Sequence, residues 1–119
     1  MSPLRIEKYA ELKVSRMSIR SLLQGGTILF DNLVIVDPEV ALSAQLGCLR
    51  EDMLQVAFGD KLTLDVGWYP SFSPTGQFTV FVIRDYDWEE PVYQASCRTL
   101  ADLLKIVEEG VRLIDALMQ

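Results

Sequence analysis

Two apolar runs, LTLDVGWY (Leu62–Tyr69) and FTVFVI (Phe78–Ile83), flank the segment PSFSPTG (Pro70–Gly76), and few folds accommodate that arrangement. In the first run Leu62, Leu64, Val66 and Trp68 alternate with Thr63, Asp65, Gly67 and Tyr69. A period of two sends the two sets to opposite faces of a strand, which predicts a half-buried strand. The second run is almost wholly apolar and predicts a central strand covered on both faces. Between them, Pro70, Pro74 and Gly76 are turn residues. The uncharged stretch Val66–Ile83 is long enough to span a bilayer, yet its prolines and glycines mark a turn between strands instead.

The rest of the chain can be read around this pair. Val92–Cys97 predicts a third strand. Thr99 then caps a helix, with Asp102 placed three residues later to close a capping box. Along that helix Leu100, Leu103, Leu104, Val107, Val111, Ile114 and Met118 form the core stripe, and Ile106, Leu113 and Leu117 widen it beyond what one sheet covers. That surplus predicts a second contact, either another layer or a homodimer partner. Upstream, residues 4–14 alternate in a way that favours a strand with one wet face, a helix begun at Ser2 and Pro3 being the alternative. A short helix over 18–24 would stop at Gly25 and Gly26. Thr27–Val36 suits either a hairpin turning at Asp31-Asn32 or one bulged strand. Asp37, Pro38 and Glu39 are start signals for a helix reaching about Leu46. For Leu49–Phe58 the signals for a helical turn and an extended segment conflict. The expectation is a single α+β domain over residues 1–119: an antiparallel β-meander with a C-terminal helix packed on one face.

Composition removes most chemistry. At 119 residues, half of them apolar, the chain is long enough to bury a core without disulfide staples. Histidine is absent, and with it the usual general base and the commonest transition-metal ligand. Cys48 and Cys97 lack metal-ligand spacing and sit among apolar residues, which predicts buried, reduced thiols and a cytoplasmic setting. Charges throughout the first twenty residues leave no secretory signal to read. No phosphate loop is present, since QGGT is a lone glycine pair and SPTGQ lacks the lysine. The expectation is therefore no catalytic residue, no cofactor and no metal. Net charge is −6, unevenly divided: residues 1–24 carry five basic and two acidic groups (+3), the remainder six basic and fifteen acidic (−9). A field of that sign repels nucleic acid and attracts basic proteins.

One stretch concentrates what is left. RDYDWEEPVY (Arg84–Tyr93) holds Asp85, Asp87, Glu89 and Glu90 beside Tyr86, Trp88 and Tyr93. A calcium loop would want a glycine at its bend, where this stretch has Pro91 and no glycine. Paired carboxylates for glycoside chemistry would need a cleft that nothing else in the sequence suggests. A docking surface uses every residue: rigid rings bury area at small entropic cost, and the acids steer and bind a basic partner. In an extended chain Tyr86 and Trp88 would share one side, with Asp85, Asp87 and Glu89 on the other. The alternative is a surface turn whose Trp88 folds back over the sheet edge. Tyr69 and Phe72, in the earlier loop, are the other aromatic candidates for a binding face.

LREDMLQV (Leu49–Val56), LDVGWYP (Leu64–Pro70), TGQFTVFVI (Thr75–Ile83), DWEEP (Asp87–Pro91) and the terminal helix together resemble small bacterial immunity proteins of polymorphic toxin systems. The resemblance covers roughly residues 49–117. It implies a cytoplasmic, non-enzymatic protein that binds and blocks a cognate toxin, and many such toxins are basic nucleases. It assigns no site residue, so the expected partner-binding set remains Asp85, Tyr86, Asp87, Trp88, Glu89 and Glu90, with Tyr69 and Phe72. The competing expectation is a self-associating structural or regulatory protein.

Overall fold

The computed structural model describes residues 21–119. The strand or helix expected over 4–14, and the first part of the helix expected over 18–24, lie outside the described residues. Five strands form one antiparallel sheet in chain order: β1 (Thr27–Asp31), β2 (Leu54–Phe58), β3 (Leu62–Tyr69), β4 (Gln77–Arg84) and β5 (Tyr93–Cys97). Among the described residues one long helix, α1 (Leu100–Leu117), packs against β3, β4 and β5. This is the α+β meander expected from the sequence.

Alternation decides which residues meet the helix. Register pairs Leu64 with Val82 and Val66 with Val80, while Val56 faces Leu64 across the β2–β3 pair. These side chains share the face under α1 and are fully buried, as are Leu103, Val107 and Ile114 on the helix. Each contributes about 1.5–3 kcal/mol by leaving water. Gly110 lets the helix come close, because a β-carbon there would lie 3.3 Å from Val82 and 3.4 Å from Leu64. Trp68 is also buried, edge-on to Phe78 at 5.0 Å, and its indole N–H donates to the Ser73 carbonyl at 3.0 Å. Leu23, Val36, Leu49 and Met53 complete the same core, with Leu33, Leu42 and Leu46 partly buried against it. On the opposite face Thr79 and Ile83 are buried, so β4 is covered on both sides.

Several expectations need correction. Of the two readings of Thr27–Val36, the hairpin is absent and the bulged strand holds over Thr27–Asp31: β1 pairs with β2 through an irregularity between Ile28 and Phe30, and a 3-10 turn, Leu33–Ile35, follows. The helix expected over Asp37–Leu46 does not form. The Asp37 carboxylate does accept from the Glu39 N–H, as a cap would, but the Gln45 side chain then takes over. Its amide accepts from the Asp37 N–H at 2.9 Å and donates to the carbonyls of Asp37 and Val40 at 2.8 and 2.9 Å. Those bonds satisfy the backbone in a closed loop, and only short 3-10 turns at Leu42–Ala44 and Leu46–Cys48 remain. The ambiguous Leu49–Phe58 ends as strand β2. At the start of α1 the Thr99 hydroxyl accepts from the Asp102 N–H at 3.0 Å, but the Asp102 carboxylate turns to Lys105, 3.7 Å away, and leaves the capping box half made. Met118 lies beyond the helix and is exposed, not part of the core stripe, and Leu100 and Leu104 are only partly buried.

Candidate functional site

The sheet has two loop-bearing ends. β3 and β4 are joined by residues 70–76 at one end, and β4 and β5 by residues 85–92 at the other. An eight-residue strand at about 3.3 Å per residue holds the two loops roughly 25 Å apart. The eight residues singled out from the sequence therefore do not form one surface. Asp85, Tyr86, Asp87, Trp88, Glu89 and Glu90 lie together at the β4–β5 end, while Tyr69 and Phe72 sit at the far end. Tyr69 is half-buried, edge-on to Phe81 at 6.0 Å. Burial, with help from the carboxylates of Asp65, Glu51 and Asp52, pushes its phenol up to about 12. Phe72 is exposed, with a left-handed backbone tied to the Leu49 carbonyl by a 2.7 Å hydrogen bond from its N–H.

The β4–β5 loop is not the extended segment that parity suggested. The Asp85 N–H donates to the Lys61 carbonyl at 2.8 Å, carrying the β3–β4 ladder one step past Arg84. Asp85 and Tyr86 then take φ of 55° and 59°, and the Asp87 N–H closes the turn on the Arg84 carbonyl at 3.0 Å. Two successive left-handed residues match the twist of a hairpin, which explains the geometry. Aspartate tolerates that region. Tyrosine ordinarily does not, and its strain costs about 1–3 kcal/mol. The Asp87 carboxylate next accepts from the Glu89 N–H at 3.2 Å, turning the chain again before Pro91.

This double turn sets the side chains outward. Tyr86 is 73% exposed and Trp88 48% exposed, far above what such rings show in a packed corner. Trp88 is not buried against the sheet. All four carboxylates are exposed, and among the described residues none of them makes an ion pair. Arg98, the first cation after the loop and just past β5, donates instead to the Pro74 carbonyl at 3.1 Å, at the opposite end of the sheet. Among the described residues no three carboxylate or thiol groups gather closely enough to hold a metal ion.

Two features escaped the sequence. Asp65, assigned to the wet face of its strand, is 4% exposed. Gly67 is the reason: a β-carbon there would collide with the Glu51 carbonyl, and its absence lets the 50–52 segment cross that face. Burial raises the Asp65 carboxyl to about 6, against a hydrogen bond from the Gln55 amide at 3.1 Å that favours the charged form, and the Asp52 charge raises it further. The second is a groove of about 330 Å³ beside the acidic loop, where the β2–β3 turn, Arg84 and Asp85 meet the end of α1. Its residues come from three separate parts of the chain, and no local pattern announces it. The thiols also differ from expectation, since Cys48 and Cys97 are both partly exposed. The Cys97 thiol, donating to the Thr99 carbonyl at 3.6 Å, is raised by burial to about 11.

Comparison with known proteins finds no protein-family model, no curated protein and no solved structure that matches the chain. Among the described residues no helix is long and apolar enough to cross a membrane.

Proposed function

We propose that this protein binds and neutralises a positively charged protein, as an immunity protein does its toxin, through the tip of the β4–β5 hairpin. The observation that carries the reading is the joint exposure of Tyr86 and Trp88 among four carboxylates that make no ion pair among the described residues. Exposed rings supply anchors that bury a large area on contact, and unpaired acids supply charge-assisted hydrogen bonds to arginine and lysine. The strain held at Tyr86 supports the same reading, because a turn selected for stability alone would place glycine or asparagine there.

The test uses the product of a neighbouring toxin gene, or a basic protein captured from the native host, as the partner. Trp88→Ala should weaken binding by about 2 kcal/mol or more while leaving the unfolding midpoint unchanged. Neutralising Asp87 and Glu89 together should chiefly slow association, and most strongly at low salt. Unchanged affinity in both variants would remove the hairpin tip from the interface.

Self-association is the second reading. Ile28 and Leu29 are 45% and 55% exposed on β1, which is an outer strand of the sheet among the described residues. An apolar edge of that kind pairs readily with another chain. Sedimentation at micromolar concentration separates the two readings, since a strict monomer excludes this one.

A further inference from the structure

The groove beside the acidic loop changes what the partner must present. Its apolar lining comes from Phe58 and Leu62, both buried, and from Leu117 and Met118, 36% and 53% exposed. Arg84 and Asp85 form its rim and also open the strained turn that carries Tyr86 and Trp88. The groove and the hairpin tip are thus continuous. Formal charges around the groove cancel, Lys61 and Arg84 against Asp60 and Asp85, whereas the loop next to it carries Asp87, Glu89 and Glu90 with no cation. A partner complementary to both would set an uncharged apolar group into the groove and place its cations over the loop. At about 330 Å³ the space is at the lower bound for a small-molecule site and suits one large side chain. Methionine at the rim adapts to the shape of what enters.

We infer that the hairpin tip and this groove form one bipartite docking surface, and that the groove receives a single aromatic side chain projecting from a basic segment of the partner. The inference rests on the docking role proposed above and adds the chemistry of the anchor. Mixed composition of this kind, an apolar centre with a charged rim, is how protein interfaces concentrate their binding energy.

Two dye-labelled synthetic peptides test it by fluorescence anisotropy on the full chain at low salt. Both carry the same flanking arginines and lysines; one has a central tryptophan and the other alanine. The tryptophan peptide should bind roughly tenfold tighter or more. In the double variant Leu117→Ser with Met118→Ser that advantage should vanish, while the alanine peptide binds as it does to the unaltered protein. The retained alanine-peptide affinity also shows that the variant is folded. Equal affinity of the two peptides, or an advantage that survives the double variant, overturns the groove while leaving the acidic loop in place. Failure of both peptides to bind overturns the loop reading and the groove with it.

Discussion

Replacing Asp65 with asparagine should stabilise the protein at neutral pH and do nothing at low pH. The carboxyl lies under the 50–52 segment on the sheet face opposite α1, 4% exposed, and titrates near 6 instead of its ordinary 3.8. Burial is the main cause; Asp52 adds to it and the Gln55 hydrogen bond opposes it. Between these two values the folded chain holds a proton that the unfolded chain has released. Stability therefore falls as pH rises from about 4 to about 6 and stays lower above that. The interval corresponds to about 2–3 kcal/mol. Asparagine keeps an oxygen that can accept from the Gln55 amide and never carries the charge, so Asp65→Asn should recover most of that amount at pH 7.5. At pH 2.5, with Asp65 protonated in both states, the two proteins should unfold alike. Urea unfolding followed by tryptophan fluorescence measures the difference, because Trp68 is buried in the core. With a slope of about 1–3 kcal/mol per molar urea, the midpoint should rise by roughly 1 M at pH 7.5. Other carboxylates titrate too, but their contributions cancel in the comparison. A gap independent of pH, or a variant weaker at pH 7.5, would show that Asp65 is not held against its charge.

Leu103→Ala, at a fully buried helix position, should cost about 2–5 kcal/mol in the same urea assay, and Leu104→Ala clearly less because that residue is only half-buried. Tyr86→Gly should raise stability by about 1 kcal/mol by relieving the left-handed tyrosine, and should weaken partner binding at the same time. Cys97, with its thiol raised to about 11, should label slowly at pH 8 in a Cys48→Ser background. Unfolding in urea should accelerate that labelling by roughly a hundredfold as the thiolate fraction returns to normal.

The parts of the fold that were legible share one property: burial imposed a period on many successive residues. β3 alternates large apolar residues with smaller or more polar ones, β4 is apolar from Phe78 to Ile83 except for Thr79 because both of its faces are covered, and α1 repeats its buried positions every three or four residues. The illegible parts depend on single long-range contacts. Gln45 cancels a well-signalled helix by bonding to Asp37 and Val40, and nothing in the local pattern around Asp37 reveals that competition. Asp65 reads as a wet-face residue until Gly67 is seen admitting the Glu51 backbone. At the candidate site, residue types disclosed the acids and rings, but not that Asp85 and Tyr86 turn left-handed or that Tyr69 and Phe72 belong to the other end.

The same framework explains how a strained tip can persist. β4 is paired with β3 along its whole length, from Leu62↔Arg84 to Tyr69↔Gln77, and with β5 from Val82↔Tyr93 to Phe78↔Cys97. The loop leaves this ladder only after the Asp85 N–H has bonded to Lys61, and it rejoins at the Val92 N–H bonded to the Val82 carbonyl. Its ends are thereby fixed by a strand paired on both sides, and the Tyr86 strain of about 1–3 kcal/mol is offset by core contacts that do not involve the loop. A loop whose backbone ends are held in this way loses less freedom on binding, which favours affinity without adding a contact. Side chains at the tip can consequently vary to suit a partner while the sheet beneath stays intact. A protein that must match one particular target gains most from that separation.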